Sequence, residues 1–273
     1  MGVLNSLLGT KKGKSTIASQ PPNSQEEDPM GSELNRLKDV PQAMLDLFKE
    51  DAKDNLANVK DLFYRISIKG VRYKVNGALI GDRGLEFQAI ILREIPVNLW
   101  YATKYDPATP VGPDCWALGG IKPDASSPMI QSETCLTCPR NRFGSGTAQD
   151  GSKRRGKSCH NTRRLVLKVD KIDIPVLISL PPTSTKSMNF YLKTLSSGDI
   201  PIPMFGVVTQ FGFDSGVEYP RPVLTQGRFL TAEEYKETRE YRITQQVEDA
   251  LKAYAIPDDY EGLEEADGKD IPF

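Results

Sequence analysis

The sequence holds one histidine, His160, in 273 residues, and that scarcity removes most metal-dependent enzymes at once. Zinc proteases with H-E-x-x-H and nucleases built on histidine clusters need ligands this chain does not have. Base deaminases place H-x-E beside their C-x-x-C, whereas His160 is followed by Asn161 and Thr162. There is no G-x-x-x-x-G-K-[ST] phosphate loop and no serine elbow, so no enzymatic activity is expected. Long apolar runs are also missing: the stretches at Ala89 to Leu92 and Val176 to Leu180 fall far short of the about 20 residues of a membrane helix. The start, MGVLNSLLG, has no basic region followed by a long apolar one, so a reducing, cytoplasmic setting is expected.

Net charge is scarce as well, at −1, yet the charges are segregated. From Pro139 to Lys168 nine basic residues (Arg140, Arg142, Lys153, Arg154, Arg155, Lys157, Arg163, Arg164, Lys168) stand against one acid, Asp150. From Asp258 to the end seven acids stand against one base, Lys269. A basic middle and an acidic tail suggest a polyanion site with a tail able to compete for it.

Cysteine is rare but patterned. Cys115, Cys135, Cys138 and Cys159 are spaced C-x19-C-x2-C-x20-C, and the close pair runs into Pro139 and Gly144. Four thiolates enclose a tetrahedral zinc ion completely, giving a structural site with no open position. The intervening loops offer little core of their own, so metal would supply much of their folding energy. His160, beside Cys159, is an alternative fourth ligand. Two disulfides would need an oxidising compartment, and a redox C-x-x-C should open a helix; neither suits this stretch.

Periodicity orders the rest. Residues 1–38, rich in Ser, Gln, Pro and charge, read as a flexible arm. Pro41 then opens an amphipathic helix with Met44, Leu47, Phe48 and Ala52 on one face. YRISIKG alternates, the phase flips after Gly70, and Asn76-Gly77 signals a hairpin turn. LEFQAIILRE, PVNLWYATKY, RRLVLKV, PVLISL and FGVVTQFGF read as further strands, the last with Val207, Thr209, Phe211 and Phe213 on one face. Thr183 or Ser184 precedes a helix carrying Met188, Tyr191, Leu192 and Leu195. Thr231 and Glu234 form a capping box for a helix running to about Tyr254. Strands curved by glycines and closed by a helix fit a mainly β fold with α, an OB-fold-like Greek-key barrel; a plain α+β sheet fits the same pattern. The expected domains are a core over 39–230 with a zinc-binding insertion at about 106–162, a helix over 231–254 and an acidic tail over 255–273.

Cations and aromatic rings interleave around the cysteines. Arg140, Arg142, Lys153, Arg154, Arg155 and Lys157 lie in the basic tract; Trp100, Tyr101, Lys104 and Tyr105 precede it; Phe143 lies within it; Arg72 and Lys74 flank Tyr73. Cations that track phosphates and rings on which bases stack suit unpaired strands with little sequence preference. Single-stranded DNA is therefore the expected partner, with these residues as contacts. Tyr73, in phase with apolar neighbours, is expected to be buried.

The chain ends DGKDIPF. An aromatic anchor with a terminal carboxylate is a short-peptide docking mode. This ending resembles the C-terminal tip of bacterial single-stranded DNA-binding proteins, whose tail docks on replication and repair enzymes. By that resemblance Asp270, Ile271, Pro272 and Phe273 bind partner proteins, although Gly268-Lys269 interrupts the acidic approach. The arrangement of Cys115, CLTCPRNRFGS and GKSC, leading into RRLVLKV and a PPTS-initiated helix, resembles phage-encoded single-stranded DNA-binding proteins whose OB-fold carries a zinc lobe. In the best-known member of that group the zinc site includes a histidine, where this chain offers four cysteines. The resemblance implies zinc as cofactor, a role in DNA replication, recombination and repair, and the bacterial host cytoplasm as location. Two other functions fit the same residues: a zinc-ribbon RNA-binding or transcription-modulating factor, and a decoy that engages host replication enzymes through DIPF.

Overall fold

A computed structural model describes residues 40–56, 63–103, 111–147 and 153–253. These belong to the unit Asp39–Phe273; the expected N-terminal arm and the acidic tail lie outside the described residues. That unit is mixed α/β around one strongly curled sheet.

Eleven strands are described: β1 (Tyr64–Ile68), β2 (Tyr73–Val75), β3 (Ala78–Leu79), β4 (Phe87–Trp100), β5 (Cys115–Leu118), β6 (Gly146–Thr147), β7 (Lys153–Arg154), β8 (His160–Val169), β9 (Val176–Leu180), β10 (Val207–Phe213) and β11 (Pro222–Phe229). The main sheet runs β11-β10-β4-β8-β9-β1-β2-β3, with β5 added to β4, and β6 pairs with β7 alone. Neighbours in the main sheet are antiparallel except β1 and β9, whose register sets Ile66 beside Ile178. The phase flip at Gly70 is real. Gly70 takes φ +57°, Ile66 points inward before it, and Tyr73 and Val75 point inward after it. Asn76 and Gly77 both have positive φ, the geometry of the tight turn joining β2 to β3.

LEFQAIILRE and PVNLWYATKY, expected as two strands, are joined in the single 14-residue β4. Pro96 lies inside it without breaking it. The Pro96 carbonyl accepts from the Gly119 N–H on the β5 side, so its nitrogen faces that side too, where β10 has ended at Ala89 and β5 pairs only from Val97. No ladder bond is forfeited.

Aromatic rings bring the two ends of the curled sheet together. Tyr73 stacks on Phe213 with ring centroids 4.3 Å apart and meets Phe87 edge-on at 4.9 Å. Its hydroxyl donates to the Gly212 carbonyl at 2.8 Å, a bond worth about 1 kcal/mol. Strand β2 thus reaches β10 through side chains rather than a backbone ladder. Val207, Thr209 and Phe211 share the buried face of β10, as the alternation implies.

Four helices are described: α1 (Gln42–Leu56), α2 (Thr185–Ser196), α3 (Ala232–Tyr241) and α4 (Gln245–Lys252). In α1 the expected inner face is half open, with Met44, Leu47 and Phe48 at 48%, 57% and 46% exposure. Helix α2 buries Met188, Tyr191 and Leu195; a short 3-10 turn over Pro182–Ser184 leads in, and no side chain caps it. Thr231 and Glu234 form the capping box on α3. The expected single C-terminal helix is instead two, since a turn after Tyr241 redirects the chain. That turn lets α4 lay Val247, Ala250 and Leu251 on Leu92, Val166 and Leu177.

Arg164 of β8 is 1% exposed and spends its charge on structure: Nη1 donates to the carbonyls of Leu251, at 3.0 Å, and Ala253. These are orphan acceptors at the end of α4, where a cation also suits the helix dipole. Arg164→Met should leave both carbonyls buried without this donor and lower stability by about 1–3 kcal/mol. A urea unfolding curve displaced to a lower midpoint, with unchanged slope, is the expected result.

Candidate metal centre and nucleic-acid interface

The far ends of β4 and β8 carry the cysteines. Trp100, the last residue of β4, pairs with Cys115, the first of β5. On the other side Leu99 pairs with His160, so Cys159 falls just ahead of β8. Cys115 and Cys159 are therefore held on either flank of one strand end by sheet register. The other two come from the loop between. The Cys135 N–H donates to the Ile121 carbonyl at 2.8 Å, and the Cys159 N–H donates to the Arg140 carbonyl at 2.9 Å. Asn141 Nδ2 donates to the Cys135 carbonyl at 2.9 Å. A 3-10 turn over Pro139–Asn141 follows Cys138, which is the tight knuckle that C-x-x-C-P implies.

All four cysteines are free and buried. Together with Asn98, Trp100 and Asn141 they line one small cavity of about 10 Å³, room for a single atom-sized occupant. As placed, no group of three or more histidine, cysteine, aspartate or glutamate side chains among the described residues has the geometry of a metal site. The thiols nevertheless feel one another. Burial pushes the Cys159 thiol up to about 12; the charges of Cys135, Cys138 and Cys115 add to the rise and that of Lys157 opposes it. Cys135 is raised by burial, drawn back by a hydrogen bond from Asn98, and raised again by Cys115 and Cys138. Four buried, unbridged sulfurs line that one cavity, and thiolates are the donor type that zinc takes. His160 faces Tyr101 with ring centroids 6.1 Å apart and is not among the residues lining the cavity.

A chain of amides surrounds the cavity. Asn161 Nδ2 donates to Asn98 Oδ1 at 2.5 Å, and Asn98 Nδ2 donates to the Gly120 carbonyl at 3.0 Å. Lys157 Nζ donates to Asn161 Oδ1 at 2.7 Å and to Asn141 Oδ1 at 3.1 Å. None of these asparagines was expected from the pattern. The available signal was Asn98 in PVNLW, a polar residue at an inward position of an apolar strand, which requires partners.

The expected nucleic-acid contacts separate into groups. Arg140, Arg142, Phe143, Lys153 and Arg155 are exposed around the cysteines, with Phe143 at 66%. Arg154 lies in β7, in the same ribbon as Lys153. Lys157 is half-buried, its ammonium 5.0 Å from the Phe143 ring centre. Trp100 requires correction as a base platform: it is 7% exposed, packed with Cys115 and Cys159, and Arg140 covers its ring at 5.0 Å. Tyr101 is half-buried and packs against Val97 and Leu99. Arg72 and Lys74 lie on β2 and the loop before it, toward the other end of the sheet; Arg72 is exposed and donates to the Arg83 carbonyl. Lys104, Tyr105 and the tip residues Asp270, Ile271, Pro272 and Phe273 lie outside the described residues.

Not every cation of the basic tract faces solvent. Arg163 pairs with Glu94 at 2.6 Å and Lys168 approaches Glu237 at 3.9 Å, and Arg164 is buried. Within the basic tract the exposed cations are thus those of the cysteine segment. No helix among the described residues is long and apolar enough to cross a membrane. Comparison of the chain with protein-family models, curated proteins and solved structures finds no match in any of the three.

In metal-free protein the raised Cys159 thiol contributes stability that is fully present below the ordinary thiol value and lost as pH rises toward about 12. Thiolate absorbance of the folded, metal-free chain should therefore show at least one cysteine, Cys159, still protonated well above pH 8.5, and it should titrate normally in urea.

Proposed function

We propose that this chain is a non-enzymatic single-stranded DNA-binding protein that coats unpaired strands in replication or recombination. In this reading the curled sheet is an OB-fold-like platform, and Cys115, Cys135, Cys138 and Cys159 hold a structural zinc ion that fixes the basic loop. Zinc, when bound, supplies folding energy and no reactive position. Arg140, Arg142, Lys153 and Arg155 then meet phosphates, and the exposed Phe143 ring stacks with a base. The observation that carries the reading is the coincidence of four buried thiols on one cavity with exposed cations and an exposed phenylalanine on the same loop. The acidic tail recruits partner enzymes through Phe273 and competes with DNA for the basic surface.

Titration against single strand, duplex and RNA over a range of salt tests this. Preference for single-stranded DNA with a steep salt slope is expected, and Arg142→Gln and Arg155→Gln should each make the slope shallower by about 0.7. Tight, sequence-dependent duplex binding would overturn the assignment. Deleting Phe273 should abolish capture of partner enzymes and leave DNA affinity equal or higher; unchanged capture would remove the tail from the mechanism.

A further inference from the structure

Four thiolates around a divalent cation leave a net dianion, and a buried charge of that kind needs a compensating cation. An asparagine of the cavity wall holds one in place. Lys157 is half-buried, and its ammonium is held at 3.1 Å by Asn141 Oδ1 and at 2.7 Å by Asn161 Oδ1. Asn141 itself lines the cysteine cavity, and Asn161 bonds to Asn98, which also lines it. On the outer side the Phe143 ring lies 5.0 Å from the ammonium. Two of the three ammonium donors are thus committed to fixed amide oxygens, and a ring stands on one side. A lysine built to grip phosphate would instead extend its ammonium into solvent.

We propose that Lys157 is the counter-cation of the cysteine centre, held there by Asn141 and Asn161, and not a phosphate ligand. This rests on the reading of the four cysteines as a zinc site. The charge lowers the cost of gathering four thiolates, while the asparagine oxygens prevent it from turning to the strand. Lys157 is therefore a positioning and charge-balancing residue, and its loss shows in metal affinity before it shows in DNA affinity.

The full-length chain, Lys157→Met and Lys157→Arg are each loaded with zinc and titrated with a competing chelator. Binding of a labelled oligodeoxynucleotide by the zinc-saturated proteins is then followed over a range of salt. Lys157→Met is expected to bind zinc about 10- to 100-fold more weakly and Lys157→Arg to recover most of that loss. Saturated Lys157→Met should keep the wild-type salt slope. Wild-type zinc affinity in the methionine variant overturns the proposal, as does a slope shallower by about 0.7, the signature of one lost phosphate contact. Where the methionine variant does not fold, Lys157→Gln serves in the same comparison. A wild-type chain that takes up no zinc overturns the metal reading and this inference with it; a zinc-binding wild type with an equally tight Lys157→Met overturns this inference alone.

Discussion

The ladder between β4 and β8 is the constraint on which both ends of the molecule depend. It is paired from Ala89 with Val169 through Leu99 with His160, so its register fixes where every other element attaches. At one end β10 adds to β4 over Phe87–Ala89, and the aromatic closure through Tyr73 follows. At the other end β5 adds over Val97–Trp100 and brings Cys115 level with Cys159. Because side chains alternate faces, a slip of β4 by one residue would turn Asn98 away from the cavity and from Asn161, and send Leu99 into it. The bulge between Ile91 and Arg93 adds a residue to one strand, which bends the ribbon and increases its twist. It sits where Leu92 meets the α4 cluster.

That ribbon also sorts the cations. Arg163, Arg164 and Lys168 belong to β8, where neighbouring elements lie close enough to use them: Glu94 on β4, the carbonyls ending α4, and Glu237 on α3. Arg142, Lys153 and Arg155 belong to loops and a two-stranded ribbon beyond the sheet, where no acid among the described residues forms an ion pair with them. A charge run that reads as uniform in sequence is therefore two functional populations, one anchoring the fold and one facing solvent. Lys157 stands between them in sequence and in space.

How much of this was legible follows from the range of the interactions. Strand alternation, the Gly70 bend, the Asn76-Gly77 turn and the Thr231 capping box are local, set within a few residues, and sequence reading finds them. The convergence of four cysteines was legible from spacing alone, because C-x-x-C-P fixes its own geometry and implies distant partners. What stayed hidden depends on contacts far apart along the chain. Whether Trp100 is a platform or core is decided by Cys115, Cys159 and Arg140, none of them within ten residues of it. The division of the last helix after Tyr241 is decided by Leu92 and Val166, which reward α4 for turning back onto the sheet. Pro96 shows the same dependence: its effect on a strand depends on which edge its nitrogen faces, and the fork of β10 and β5 makes that edge tolerant.

The same sheet determines where the tail leaves. Arg164 grips Ala253, the last described residue, and lies five positions along β8 from Cys159, about 16 Å at strand spacing. In the proposed function the acidic residues that follow Ala253 in sequence compete for the basic surface through effective concentration, not intrinsic affinity. On that proposal weak charge attraction suffices when no strand is present, and a strand that supplies many phosphates displaces it. The buried Arg164 guanidinium, in satisfying the carbonyls that end α4, thereby also fixes the point from which those acidic residues start.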